Sequence, residues 1–305
     1  MLSDLLVLAL AEMQFLTCRE KIFLQNKLDN IAELAVLSID DISIIVGRKI
    51  RSSWWTGKDC LLRAERNVRL LEAFGIQYTL YSDENYPSLV SEIYDPPFVL
   101  FYRGDINVVR EACISVVGTR KPSTKAIEAT FSFAKDASGA GFTVISGLAF
   151  GIDAAAHKGA LAGNGKTLAV LPCGLDGVAP VSHKVLAQAI LERGGCLMSE
   201  YVPCTEAAKF RFPQRNRIIA ALSPVTLIAE APKNSGALIT ADFALEQGRD
   251  VYLHQAGFEN PLCAQGMELY KDDGAPVISS FEDFMNYRNV APGTVYCKQD
   301  KQLYL

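Results

Sequence analysis

The sequence predicts an α/β protein: a doubly wound, mainly parallel sheet preceded by a small helical segment. Three observations carry this reading. Short apolar runs recur after Asp105, namely CISVVG, FTVIS, TLAVLP, CLMSE, VTLIAE, DVYLH and APVIS. Helix-length intervals such as STKAIEATFSFAKDASGA and SHKVLAQAILERGG separate them. The first 75 residues hold no comparable strand run. Strands that are apolar at every position, rather than at alternate ones, are buried on both faces, and helices between parallel strands provide the cover.

Taken in order, LLVLALAEMQFL, IAELAVLSIDDISIIV and LLRAERNVRLLEAFG carry apolar residues at helical spacing, the last stopped by Gly75. Residues 1–75 therefore read as a helical domain, with Trp54 and Trp55 covering part of its core or an exposed patch. Residues 76–105, YSDENYPSLVSEIYDPPFVLFYRGD at their centre, read as a connector ending in a short strand near Phe98 to Phe101. Residues 106–290 form the α/β domain, and 291–305 a short tail.

Composition bounds the function. Half the residues are hydrophobic, 21% are charged and the formal net charge is −4. This is an ordinary soluble balance, with room for one local basic groove but not for a nucleic-acid coat. No apolar run approaches the ~18 residues needed to cross a bilayer, so no membrane association is expected. Asp4 stands where a signal peptide would carry basic residues, and the first helix reads as amphipathic. Eight cysteines form no CxxC pair, and several lie in apolar strands, which fits free thiols in a reducing cytoplasm. With three histidines, His157, His183 and His254, neither a metal nor a cofactor is expected.

In such sheets ligands sit at the carboxyl ends of strands, so the strand-to-helix turns matter most. VVGTRKPSTKA supplies Gly118, Thr119, Arg120, Lys121, Ser123, Thr124 and Lys125 ahead of a helix. Free N–H groups, hydroxyls and cations there suit a phosphate, and a Ser123 or Thr124 cap with solvated lysines is the alternative. VISGLAFGIDAAAH places Ser146, Gly147, Phe150 and Gly151 in a second turn, without the GxGxxG spacing of a dinucleotide site. Asp153 and His157 share a helix face there, and a packed structural histidine is favoured over a catalytic one. KFRFPQRNRIIAAL concentrates Lys209, Arg211, Arg215 and Arg217 with Phe210 and Phe212 and no acid. Its alternation reads as extended, cations on one side and rings on the other, with a helix from Pro213 whose first turn holds Arg215, Asn216 and Arg217. Cations at the positive end of a helix dipole are costly unless they meet an anion. In APKNSGALITADFALEQG, Ser235, Gly236 and Thr240 either line the same sheet edge or serve as cap and packing.

Together these motifs resemble the DNA-processing protein A family (DprA, also called Smf). The likeness rests on VVGTRKPSTKA, SGLAFGIDAAAHKGAL, LPCGLD, SEY and FPQRNRIIAALS followed by SGALITADFALEQGRDVY, from the connector to about Ala275. It implies an extended Rossmann-like domain after a small helical, SAM-like one. It also implies a cytoplasmic homodimer that binds single-stranded DNA and helps load the RecA recombinase in natural transformation, not an enzyme. By resemblance the DNA contacts fall on Gly118, Thr119, Arg120, Ser146, Gly147, Gly151, Lys209, Phe212, Arg215, Asn216 and Arg217. The chain departs from the family at Phe150, usually basic; at Ala179 and His183, usually Tyr and Asn; and at Glu268, usually Asn. The winged-helix domain of some members is not expected in the tail.

On this reading Arg120, Lys209, Arg215 and Arg217 hold phosphates, and Phe212 or Phe150 stacks a base at ~1–3 kcal/mol per base, with Phe210 on the buried side. About four phosphates give a log K against log salt slope near −3. The rival is a phosphoribohydrolase-like nucleotide enzyme on a related sheet, whose PGGxGT turn and following glutamate are replaced here by NSGALIT with Glu246 too distant.

Overall fold

The computed structural model describes residues 2–52 and 55–290. The expectations for Trp54 and for the tail 291–305 lie outside the described residues. Five helices come first: α1 (Leu2–Glu12), α2 (Cys18–Lys27), α3 (Ile31–Val36), α4 (Ile39–Val46) and α5 (Gly57–Phe74). Their limits follow local chemistry. Thr17 and Ser38 head capping boxes and Thr56 caps α5, each accepting an otherwise orphaned N–H. Gly75 ends α5 in the left-handed conformation, as its position in the sequence suggests.

The connector is more than a connector. It contributes β1 (Gln77–Leu80), the short helix α6 (Ser88–Ser91) and β2 (Val99–Gly104), and both strands join the main sheet as antiparallel neighbours. Beyond it come β3 (Ala112–Val117), α7 (Thr124–Gly139), β4 (Phe142–Ser146), α8 (Ile152–Ala162), β5 (Thr167–Val170), α9 (Lys184–Glu192) and β6 (Cys196–Ser199). The chain continues with α10 (Arg211–Ala221), β7 (Val225–Ile228), α11 (Gly236–Glu246), β8 (Asp250–His254), α12 (Pro261–Asp272), β9 (Val277–Ile278) and α13 (Phe281–Val290).

The nine strands lie in the order β1-β2-β6-β5-β4-β3-β7-β8-β9, and every pair from β6 to β9 is parallel. Alternate residues of each strand enter different cores. Cys113 and Val117 of β3 pack with α10, α11 and α12, while Ile114 and Val116 pack with α7, α8 and α13. A third core joins α1–α5, with Trp55, to Phe98, Val99 and Phe101 at β2 and to Ala169, Leu171, Ile190 and Leu197. The sheet is thus covered on both faces, as its continuously apolar strands require.

Candidate functional site

From β3 the chain winds outward through β4, β5 and β6, then returns to the other side of β3 as β7 and winds away through β8 and β9. The turns after β3 and β7 therefore leave in opposite directions, and a crevice opens between them at the carboxyl ends. A groove of about 690 Å³ occupies this place. One wall is Gly118–Lys121, another the start of α10 from Lys209 to Asn216, a third Ser235 and Gly236, and a fourth Asn260, Leu262 and Cys263. Ser123 caps α7 and Ser235 caps α11, so two helix N-termini rise from the turns at its edge.

Arg120, Lys121, Lys209 and Arg215 line this groove. Among the described residues, Arg120, Lys121 and Lys209 form no ion pair. The Arg120 guanidinium lies 4.7 Å from the centre of the Phe212 ring. Lys125, by contrast, is paired with Glu259.

The floor is a buried polar assembly. Arg215 is 3% exposed and donates from Nη1 to the carbonyls of Gly147, at 2.7 Å, and Val170, closing the ends of β4 and β5. Its Nε has no partner among the described residues. Burial lowers this guanidinium to about 10; Asp153 opposes that shift and Arg120 adds to it. Asp153 accepts from the Gly147 and Ala149 N–H groups at 3.2 Å each, and burial raises its carboxyl against the pull of Arg215. His157 does not pair with Asp153. Its ring meets Thr167 Oγ1 at 2.7 Å and the Leu148 N–H at 3.3 Å, and burial pushes it down to about 3. Both side chains hold the 147–149 turn, the structural role favoured for the histidine.

Gly118, Thr119, Arg120, Lys209, Phe212, Arg215, Asn216, Ser235 and Gly236 come together as groove lining. The other expected residues are placed differently. Ser146 is buried and donates to the Val116 carbonyl, and Ser123 donates to Glu230. Gly147 lies under Arg215, and Gly151 heads α8 against Thr119 and Pro122, so both shape the walls from behind. Phe150 is exposed and packs edge-on against His183 at 4.8 Å, so two of the family departures touch each other.

The KFRF segment is not extended. A turn from the Ala208 carbonyl to the Arg211 N–H starts α10 at Arg211, and Pro213 is its third residue. Proline is tolerated there because the first turn's N–H groups lack helical partners anyway. The alternation of faces fails with the extended backbone, and Phe210 is 56% exposed instead of buried. Arg217 is also turned away. It bonds Glu200 at 2.6 Å and lies 3.5 Å from Asp95, in a separate 290 Å³ cavity beside Lys21.

Sequence reasoning missed Glu230. Fully buried at the end of β7, its carboxylate accepts from the Ser123 N–H and hydroxyl at 2.9 Å and from Asn260 Nδ2 at 2.8 Å. Its carbonyl accepts the Thr119 N–H at 2.7 Å. One residue therefore ties the β3–α7 turn to the start of α12 across the groove. Its signal in the sequence was an acid at the end of an otherwise apolar strand. Glu230→Gln turns one acceptor into a donor facing a donor, and thermal unfolding is expected to show a loss of about 1–3 kcal/mol. Adding Asn260→Asp restores a matched pair and is expected to return most of that loss. Equal stability of single and double variants would contradict the bridging role.

A doubly wound, mainly parallel sheet with cations and an aromatic ring in its switch-point crevice defines a Rossmann-like protein. The chain belongs to the DNA recombination-mediator protein A family, whose profile matches residues 77–289. It is 30% identical over 286 residues to Protein Smf of Borreliella burgdorferi, covering 93% of this chain and 88% of that one. It is 38% identical over 206 residues to the DNA processing protein DprA of Streptococcus pneumoniae, covering 67% and 71%. The X-ray structure of the Streptococcus pneumoniae protein superposes with a TM-score of 0.73 at 32% identity, over 91% of this chain and 95% of that one. DNA processing protein A from Helicobacter pylori, described for its single-stranded DNA binding mode, superposes with a TM-score of 0.62 at 27% identity, over 70% and 96%. The fold and family expected from the motif order are the ones found. Among the described residues no helix is long and apolar enough to cross a membrane.

Proposed function

We propose that the groove binds single-stranded DNA, with Arg120, Lys121 and Lys209 on phosphates and Phe212 as a stacking face for a base. The observation that carries this is the set of three unpaired cations around the Arg120–Phe212 stack at the switch point. Cations that track a backbone beside an aromatic face are the two parts of a single-strand site. Arg215 supports the floor, with its Nε buried and unpartnered among the described residues. Asp153, the acid in the groove's lining, is engaged on backbone N–H groups, and the nearby buried Glu230 on Ser123 and Asn260. That favours a binder over the phosphoribohydrolase-like alternative, which needs a carboxylate free to act on its ligand. The family membership supports the further reading of a cytoplasmic homodimer that protects the strand and presents it to a RecA-type recombinase.

The test is fluorescence anisotropy of labelled single strand and duplex across a salt series. Three phosphate contacts give an expected log K against log salt slope of about −2 on single strand, reduced by roughly 0.7 in Arg120→Ala or Lys209→Ala. Equal affinity for duplex, or an unchanged slope in both variants, would remove this reading and bring a mononucleotide ligand forward.

A further inference from the structure

Phe210 occupies the residue before α10, where Ser, Thr, Asp or Asn would cap the helix, and it makes no capping bond. Its ring is also 56% exposed. Two unfavourable choices at one position call for a gain elsewhere. The surroundings show a candidate. The Arg211 guanidinium lies 5.1 Å from the Phe210 ring centre and 5.3 Å from that of Tyr201. Arg211 is anchored on the Glu206 carbonyl, and Tyr201, itself buried, donates its hydroxyl to Gln214 at 3.0 Å. A fixed series thus runs from buried Tyr201 through Arg211 to exposed Phe210, with Arg211 Nε buried and unpartnered among the described residues.

Its chain neighbour Lys209 lines the groove while Phe210 itself does not, so the exposed ring follows directly on the groove's Lys209 wall. An immobilised aromatic face backed by a guanidinium and flanked by cations suits a nucleobase, because the base stacks while its phosphate meets Lys209 or Arg211. We propose that Phe210, backed by Arg211 and Tyr201, is a second base-stacking position, taken by a nucleotide where the strand leaves the groove past Lys209. This rests on the single-stranded DNA reading above. Every base has a stacking face, so the position carries no sequence preference.

The test compares the full chain with Phe210→Ala and Phe210→Leu on an oligothymidylate and on an abasic strand of equal length. Both variants are expected to bind the oligothymidylate about tenfold more weakly. Affinity for the abasic strand and the salt slope are expected to stay at wild-type values, which a merely structural role would not preserve. Equal losses on both strands, or wild-type affinity in Phe210→Leu, would overturn the stacking role and leave the groove reading intact. Absence of single-strand binding by the unaltered chain would remove the groove reading, and this one with it.

Discussion

Arg215→Ala is expected to cost about 3–5 kcal/mol of stability in denaturant unfolding, together with all measurable strand binding. The guanidinium closes two carbonyls at the ends of β4 and β5 and is the opposite charge to Asp153, all out of water. Removing one member of a buried charged set leaves the others unpaired, and such truncations fall in this range. Arg215→Lys keeps the charge but lacks the planar fork, so it is expected to recover part of the stability and little of the binding. A variant as stable as the unaltered chain would show that the floor does not depend on Arg215. A loss of binding in Arg215→Ala alone thus says little about direct DNA contact, and Arg120 and Lys209, which form no ion pair among the described residues, are the better probes.

Gly151→Ala is expected to be nearly as damaging, by about 3 kcal/mol, with binding reduced more than tenfold. Gly151 has φ of 78°, which side chains rarely adopt, and an added Cβ would press on the Thr119 carbonyl and come within 2.6 Å of Pro122 Cδ. The turn that must yield is the one carrying Arg120. Thermal unfolding alongside anisotropy checks both effects, and a stable variant with normal affinity would show that the turn can move without consequence. Gly141, also at positive φ but with nothing within 4 Å of an added Cβ, is the control for backbone strain alone.

Most of the architecture was legible because its central strands are apolar on both faces and alternate with helix-length segments, the pattern of a doubly covered sheet. β1 and β2 were harder. QYTL is short and largely polar, with one buried position, Thr79, so its place at the sheet edge comes from pairing with β2, not from its own pattern. The cationic turns were legible from residue type, but side-chain direction was not. Arg215 and Arg217 are two residues apart, and on a helix that separates them by about 200°. That spacing was enough to show that they cannot share a face, and the structure puts one under the groove and the other on Glu200. Asp153 was seen but its partners were not, since the neighbouring turn folds back onto it, and Glu230 stayed hidden because Ser123, more than a hundred positions away, meets it only in the folded chain.

The helices of the first 75 residues have no core to themselves. Leu8, Leu24, Leu34 and Ile42 belong to the same cluster as Phe101, Leu171 and Leu197, so the two regions are expected to unfold together in one thermal transition. A helical extension tethered by a linker would be free to search for partners independently of the sheet. Here it is a fixed buttress, and whatever docks on it is held at a set distance and angle from the groove.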